Sequence, residues 1–345
     1  MPALPVRAGS LSAFEHVRPI LGERAQPLWV IPPAAAPAEL PTYLRDSARA
    51  LNKANDLHPG WLDTRHIEAE HGLVTEQVWP HLSATLLGPA LRPVTGPERD
   101  PAQQWAAAEL AADAGGGLGV RLRARDIGKA ETPSLLAELL ARVNAATSDV
   151  DLLVDLGEVT VVREAVTLAL RAWEGAGRAA DWRSTVLLGG SFPWSADGLK
   201  RREVTALLRV EWAAWQELRQ AAGNGKGNAP AFVFGDYSTL HPRTCDEPPP
   251  RHPPRVHERP RYTTGEYFLV GKGRQLGSGE PSLMRPLAQA IVADAEFREG
   301  ATEAERWLSA LAADADGIGP GNPEGWVRRG HLQHLAFVTG QVGTA

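Results

Sequence analysis

Charged residues at regular spacing interrupt three segments that are otherwise largely apolar. The pairs are Asp63 with Arg65, Arg121 with Arg123, and Asp151 with Asp155. In an extended strand, residues separated by an even number of positions project to the same face, so the two members of each pair should point together. A carboxylate beside guanidinium groups can act as a general base next to a bound anion. It can also serve only to neutralise them.

The segments that must position these side chains have the length and composition of buried strands. Eight such runs alternate with segments of helical period, which is typical of a parallel sheet covered by helices. The predicted strands are 4–8, 27–31, 60–67, 91–95, 118–124, 151–157, 185–191 and 231–238. Eight strand–helix units within about 240 residues favour a (β/α)8 barrel of the TIM type, with an open doubly wound sheet as the alternative.

Helical period and capping residues define the helices between these strands. We predict helices at 39–55, 101–114, 133–146, 162–177 and 199–221, with weaker ones near 11–18 and 74–87. The predicted barrel covers residues 1–245, and residues 246–260, rich in proline, arginine and histidine, form a loop at its rim. Residues 261–345 are predicted to be an extension packed on the barrel, with a strand at 261–271 and helices at 281–296 and 301–313.

Composition limits the possible classes of protein. The chain has 345 residues, 43% of them hydrophobic, and a formal net charge of −5, so contact with nucleic acid would require a local basic patch. The single cysteine, Cys245, excludes an intramolecular disulfide and a cysteine zinc site. No segment approaches the ~18 apolar residues of a membrane span, and no export signal is evident. These features predict a cytoplasmic protein without membrane contact.

In a barrel of this type, ligands bind where the strands end. We predict that Asp155 and Asp236 face this mouth and that one of them acts as a general base, while Arg65, Arg92 and Arg123 neutralise a bound phosphate. The alternative is an Arg–Asp network that fills the lumen and holds the strands in register without contacting a ligand.

Glycines near the ends of the seventh and eighth strands could bring backbone N–H groups close to an anion. Gly189, Gly190 and Ser191 end the seventh strand, and Gly235 lies in the eighth. Loops at these positions often bind phosphate in this fold, although a strand-to-helix turn also favours glycine. Lys272 could add a positive charge, but the glycine spacing around it does not match a Walker motif, so ATP hydrolysis is not predicted.

Three histidines are further candidates. His66 follows the third strand and could transfer protons beside the carboxylates. His331 and His334 are three residues apart and would share one face of a helix, where they could bind a metal or make structural hydrogen bonds. Because the sequence contains no evident third ligand, we predict no metal site, and the cofactor is unknown.

Residues 319–334, with the sequence Gly-Pro-Gly-Asn-Pro-Glu-Gly-Trp-Val-Arg-Arg-Gly-His-Leu-Gln-His, resemble the beta protein family, named for a phage protein. The opening segment 2–31, with its two Pro-Leu strands around a short helix, is similar to that family as well. In the family the two histidines are adjacent, whereas here two residues separate them. The resemblance implies a barrel fold and a setting in phage defence. The candidate residues it adds are Trp326, Arg328, Gly330, His331 and His334.

Two functions remain open on the sequence alone. The first is binding, and possible hydrolysis, of a phosphorylated ligand such as a nucleotide or a nucleic-acid end. The second is a non-catalytic recognition module for a partner protein of a defence system, with an arginine-rich rim at 243–261 and tryptophans as its anchors.

Overall fold

Eight parallel strands form one sheet in the computed structural model. The structure describes residues 1–34, 37–70, 74, 78–82, 84–85, 88–89, 91–223, 231–248 and 256–344. In order around the sheet, the strands are Ala3–Pro5, Leu28–Val30, Gly60–Asp63, Leu91–Thr95, Leu118–Arg123, Val150–Glu158, Ser184–Gly190 and Val233–Asp236. We refer to them as the first to the eighth barrel strand. Each is paired in parallel with the next.

The first and eighth strands meet and close the sheet. A parallel bridge joins Pro2 to Asp236, and the backbone N–H of Asp236 donates to the carbonyl oxygen of Met1 at 3.0 Å. The amino group of Met1 donates to the carbonyl oxygen of Phe234 at 2.6 Å. The prediction of a (β/α)8 barrel is therefore confirmed, and the open sheet is excluded.

Helices cover the barrel and continue beyond it. They are α1 Ala8–Leu21, α2 Leu40–Asn55, α3 Pro101–Ala114, α4 Thr132–Val143, α5 Val162–Gly175, α6 Val210–Gly223, α7 Arg243–Asp246, α8 Met284–Val292, α9 Glu303–Ala312 and α10 Pro323–Thr344. Helix α3 shows why the start signals are informative: the side chain of Asp100 accepts the N–H of Ala102 at 2.8 Å, and Pro101 occupies the first turn. No helix in the described ranges is long and apolar enough to cross a membrane.

Two segments differ from prediction because a second, three-stranded sheet forms. The helix predicted at 199–221 begins only at Val210, since Val204–Leu208 is a strand paired antiparallel with Tyr267–Gly271. The strand predicted at 261–271 is a hairpin of Arg261–Thr263 and Tyr267–Gly271. Single-sequence periodicity does not separate short strands from helix starts when their pairing partners lie far away in the chain.

The helix predicted at 74–87 falls partly outside the described residues. Within the described part, Trp79–His81 forms a 3-10 turn, and Ala84–Thr85 pairs antiparallel with Gly88–Pro89. The extension helices predicted at 281–296 and 301–313 correspond to α8 and α9. Helix α10 packs along α1 and against the three-stranded sheet, so the end of the chain lies on the barrel wall.

The barrel lumen has an apolar middle. Outward residues such as Leu118, Val120 and Leu122 pack against the surrounding helices. The inward apolar layer consists of Ala3, Leu28, Val30, Trp61, Val94, Leu153, Val186, Leu188, Tyr237 and Cys245. Charged side chains lie on the same inward faces nearer the two ends of the strands, so each mouth of the barrel has its own charged cluster.

Candidate anion-binding site at the C-terminal mouth

A buried ion network closes the lumen below the C-terminal mouth. Arg121 donates through Nη1 to Oδ2 of Asp63 at 2.6 Å, and through Nε and Nη2 to Oδ2 of Asp155 at 3.0 and 2.7 Å. Nη2 of Arg121 also lies 2.8 Å from the hydroxyl of Tyr237. Nη2 of Arg99 lies 2.9 Å from Oδ1 of Asp63. Two arginines and two aspartates thus neutralise each other, and the parity prediction correctly placed Asp63, Arg121 and Asp155 together.

The pKa shifts in this network follow from the balance of burial and neighbouring charge. Burial disfavours the charge on Asp63, yet Arg99 and Arg121 hold its pKa below the ordinary value. Burial also opposes the charge on Arg121, but Tyr237, Asp155 and Asp63 raise its pKa well above the ordinary value. Both groups therefore remain charged in the folded protein.

Asp155 has no acceptor position left for a substrate proton in this arrangement. Its Oδ2 takes two donors from Arg121, and its Oδ1 accepts the hydroxyl of Tyr237 at 2.8 Å and the N–H of Gly157 at 2.9 Å. A carboxylate offers about four lone-pair sites, and all are used. The geometry thus favours the lumen-filling network over a base role for Asp155.

A second, half-buried layer lies above this network at the mouth. Oδ1 of Asp246 lies 3.4 Å from Nη1 of Arg65 and 3.2 Å from Nε2 of His66, and its Oδ2 lies 3.1 Å from Nη2 of Arg123. The side chains of Arg65, His66 and Arg123 are 12%, 13% and 17% exposed. One carboxylate therefore faces two guanidinium groups and an imidazole, which leaves a positive excess within reach of solvent.

The same charges hold the pKa of Asp246 below its ordinary value, although burial alone would raise it. The main opposing contributions come from His66 and Arg123. For Arg123, burial opposes the charge, but Asp155 and Asp246 raise the pKa. Nε2 of His66 is buried and directed at Oδ1 of Asp246, so the imidazole belongs to the group of side chains around this carboxylate.

Sequence reasoning missed two members of this mouth. Asp246 ends α7, a four-residue helix after the eighth strand, and no periodic pattern marks it. Arg7 follows the first strand, and its Nη2 donates to the carbonyl oxygen of Glu247 at 2.5 Å. Its buried Nε has no acceptor among the described residues. The sequence prediction included Arg7 in the first strand, 4–8, so the available signal was a charge inside an otherwise apolar run.

Asp236 does not join this site, contrary to the expectation that it faces the lumen beside Asp155. The inward positions of the eighth strand belong to Gly235 and Tyr237, so Asp236 has the opposite parity and points outward to α10. Its Oδ2 lies 2.8 Å from Nε2 of His334. Burial disfavours the charge on Asp236, but His334 lowers its pKa below the ordinary value. The two predicted catalytic carboxylates therefore lie on opposite faces of the barrel wall.

Arg92 also lies elsewhere. It is the second residue of the fourth strand, so it lies at the N-terminal mouth, where its Nη1 is 3.6 Å from Oδ2 of Asp151. The expectation that it neutralises the same phosphate as Arg65 and Arg123 is therefore wrong, because those residues lie at the opposite end of the barrel.

The predicted glycine cradle consists of tightly packed wall positions. A Cβ at Gly190 would lie 3.0 Å from Cγ of Pro242, and one at Gly235 would lie 3.1 Å from the carbonyl oxygen of Met1. Gly189, Gly190 and Gly235 all lack a positive φ. These contacts indicate that close approach of neighbouring groups accounts for the glycines.

Ser191 and Lys272 also lie outside the arginine layer. Ser191 donates to Glu211 and to the carbonyl oxygen of Leu208 at 3.2 Å. Lys272 follows a strand of the three-stranded sheet, and its backbone pairs with Arg202 and Glu203. Neither residue is brought to Asp246.

The C-terminal motif holds α10 on the barrel. Nδ1 of His331 lies 2.8 Å from Oγ of Ser238, and its Nε2 lies 3.2 Å from Oγ of Ser10. The other ring nitrogen of His334, Nδ1, lies 2.9 Å from Oγ1 of Thr263. All four ring nitrogens are thus engaged, which favours structural hydrogen bonds over metal binding. Burial, reinforced by Arg261, lowers the pKa of His331 to about 3.

Two further residues of the motif serve the same attachment. The indole of Trp326 donates to the carbonyl oxygen of Pro320 at 2.8 Å, and Arg328 pairs with Glu303 and donates to Ser12 at 3.2 Å. The motif residues that the sequence suggested as functional therefore connect helices α1, α9 and α10, and none of these contacts reaches the mouth.

Gly330 permits this attachment, and we expect Gly330→Ala to destabilise the protein by about 1–3 kcal/mol through overpacking. A Cβ there would lie 2.4 Å from Cδ of the buried Arg261, whose Nη1 is fixed on the carbonyl oxygen of Thr239 at 2.8 Å. Urea unfolding measures the loss. Gly340→Ala, where a Cβ meets nothing within 4 Å, is the matched control on the same helix. Equal stability of the two variants would contradict this account of Gly330.

The fold and the arginine-lined mouth define a closed (β/α)8 barrel protein. The chain belongs to the beta protein family, whose profile matches residues 1–340. Among solved structures, triosephosphate isomerase from Bartonella henselae is similar at 11% identity, over 71% of this chain and 93% of that chain, with a TM-score of 0.35. No curated protein shows a significant match.

Proposed function

We propose that this protein binds a phosphorylated ligand at the C-terminal mouth. The observation that carries the proposal is the convergence of Arg65 and Arg123 on one carboxylate, Asp246, while Asp155 is already neutralised by Arg121. Partly buried guanidinium groups in excess over carboxylates favour an anion, and their planar forks match phosphate oxygens.

His66 completes the proposed site. Its Nε2 faces Oδ1 of Asp246 at 3.2 Å, and a phosphate that displaces this carboxylate oxygen would contact the imidazole beside the two arginines. If the bound phosphate ester is hydrolysed, water attacks phosphorus, the P–O bond to the alcohol breaks, and the imidazole of His66 takes a proton from the water and returns it to the leaving oxygen. A nucleotide or a nucleic-acid end is the ligand we expect, because the resemblance to the beta protein family suggests a role in phage defence.

The test is a thermal-shift and calorimetry panel of nucleotides, sugar phosphates and a 5′-phosphorylated oligonucleotide. A true ligand raises Tm through linkage. Arg65→Gln and Arg123→Gln should each weaken its binding about tenfold or more, since a hydrogen bond to a charged group contributes about 1.5–3 kcal/mol.

Arg171→Gln, an exposed change on α5, is the control and should bind like the wild type. Unchanged affinity in both mouth variants would overturn the proposal.

A second candidate is recognition of a partner protein at the rim. Trp194 is 43% exposed, and the guanidinium of Arg243 lies 4.8 Å from the centre of its ring, which is a common arrangement of interface anchors. Residues 249–255 of the predicted rim lie outside the described residues. The two candidates are separated by Trp194→Ala, which should weaken binding of a partner protein and leave binding of the phosphorylated ligand unchanged.

A further inference from the structure

The N-terminal mouth of the barrel contains a separate cavity of about 300 Å³. Trp61, Arg92 and Asp151 are each the second residue of their strands, and Ser184 is the first residue of the seventh. Because the strands are parallel, these side chains meet at one end of the barrel, together with Arg183. The apolar lumen layer separates them from the mouth where Asp246 lies.

Asp151 is the centre of this cluster, and its acceptor positions are filled. Arg183 donates to it through Nε at 3.0 Å and through Nη2 at 2.6 Å. Ser184 donates its hydroxyl at 2.7 Å, and the indole of Trp61 donates at 2.9 Å. About four donors occupy the acceptor positions of this carboxylate, and Arg183 neutralises its negative charge.

Among the described residues, Arg92 therefore has only a shared ion pair, with the Asp151 that Arg183 already holds more closely. Its Nη1 lies 3.6 Å from Oδ2 of Asp151, and its hydrogen bond goes to the neutral Oε1 of Gln26 at 3.2 Å. Among the residues that line the cavity, three arginines, with Arg24 as the third, face two carboxylates, with Glu23 as the second. Burial, together with the charge of Arg183, lowers the pKa of Arg92, which agrees with a cation that lacks full compensation.

The position of Arg92 is fixed in advance. Its guanidinium carbon lies 5.0 Å from the centre of the Trp61 ring, and that ring is itself held by Asp151. A guanidinium already ordered in this way loses little conformational entropy when it binds a ligand. The side chains of Val186 and Val233 add an apolar part to the cavity wall.

We propose that the N-terminal mouth binds a small organic oxyanion, with its carboxylate or phosphate group on Arg92 and its carbon body against Val186 and Val233. A cavity of this volume has room for a small organic anion. This site is additional to the proposed phosphate site at the C-terminal mouth.

The test is calorimetric titration of the full-length protein with two probes, succinate and glycerol 3-phosphate, at low ionic strength. We expect at least one probe to bind, and the one preferred identifies the head group. Arg92→Gln should weaken binding about tenfold or more, from the loss of a charged hydrogen bond. This variant keeps all four donors to Asp151, so the fold should survive.

Val233→Glu is the second variant, because Val233 is 45% exposed and lies outside the Asp151 cluster. The added negative charge should also weaken binding of the probe. Arg171→Gln, exposed on α5, is the control and should leave this binding unchanged, whereas Arg65→Gln reports any binding of the probe at the other mouth. The proposal is overturned if neither probe binds, if Arg92→Gln and Val233→Glu both retain wild-type affinity, or if Arg65→Gln alone removes the binding.

Discussion

Arg121→Leu is expected to lower the free energy of unfolding by about 3–5 kcal/mol, as is typical when one partner of a buried ion pair is removed. Arg121 supplies two of the donors to Asp155 and one to Asp63, and both carboxylates are inaccessible to solvent. Leucine fills part of the volume but provides no hydrogen bond, so the carboxylates remain buried with part of their compensation lost.

Arg123→Leu is the matched control for this prediction. Arg123 lies on the same strand and face, but its side chain is 17% exposed and its main partner, Asp246, is 32% exposed. We expect a smaller loss than for Arg121→Leu, because water reaches Asp246 and can replace part of the lost pairing. Urea unfolding of both variants gives the comparison. If Arg121→Leu costs no more than Arg123→Leu, the buried network does not hold the barrel as described.

Glu211→Gln and His331→Gln are expected to change the pH dependence of stability in opposite directions. Burial, reinforced by Arg261, lowers the pKa of His331 from 6.5 to about 3. Its contribution is therefore complete above pH 6.5 and is lost as the pH falls towards 3, because only the unfolded chain takes up the proton. The slope is about 1.4 kcal/mol per pH unit.

The contribution of Glu211 to stability changes with pH in the opposite direction. Burial raises its pKa from 4.5 to about 7, against the effects of Arg209 and Ser191. The folded protein then keeps a proton that the unfolded chain has released, so this contribution is complete below pH 4.5 and is lost as the pH rises towards 7. Between pH 4.5 and 6.5 the two slopes should largely cancel in the wild type.

The two glutamine variants separate these contributions. Relative to the wild type, Glu211→Gln should gain stability as the pH rises from 4.5 to 7, whereas His331→Gln should lose stability as the pH rises from 3 to 6.5. Urea unfolding at closely spaced pH values measures both curves. Other titrating groups such as His58, whose pKa burial also lowers, contribute equally to each protein and cancel in the differences. If both variants follow the wild-type profile, neither group has the pKa shift described.

The barrel could be predicted from local patterns because buried strands and amphipathic helices have distinct periods. The fourth strand, Leu91–Thr95, and α3, Pro101–Ala114, have the predicted bounds. Strand parity also correctly predicted that the side chains of Asp63 and Arg121 point into the lumen. The prediction was wrong for Arg92 because parity does not tell how far along a strand a residue lies. Arg92 has a suitable parity but lies at the beginning of its strand, and therefore at the N-terminal mouth.

Contacts between distant parts of the chain could not be predicted in the same way. His334 and Asp236 are 98 residues apart, and only the packing of α10 on the barrel brings them to 2.8 Å. Asp246 reaches Arg65 and Arg123 because a short helix returns over the mouth, and nothing in its local sequence indicates that path. The arginines of the candidate site were therefore identifiable, but their shared carboxylate was not.

The apolar layer that divides the lumen, with Leu153 and Leu188 at its centre, has a consequence for how this protein can change over evolutionary time. Groups separated by such a layer share no partners, so the energetic effects of substitutions at opposite ends of the barrel should simply add. Selection can then reshape the chemistry at one end while the other keeps its specificity, and a single scaffold can acquire two independent recognition properties.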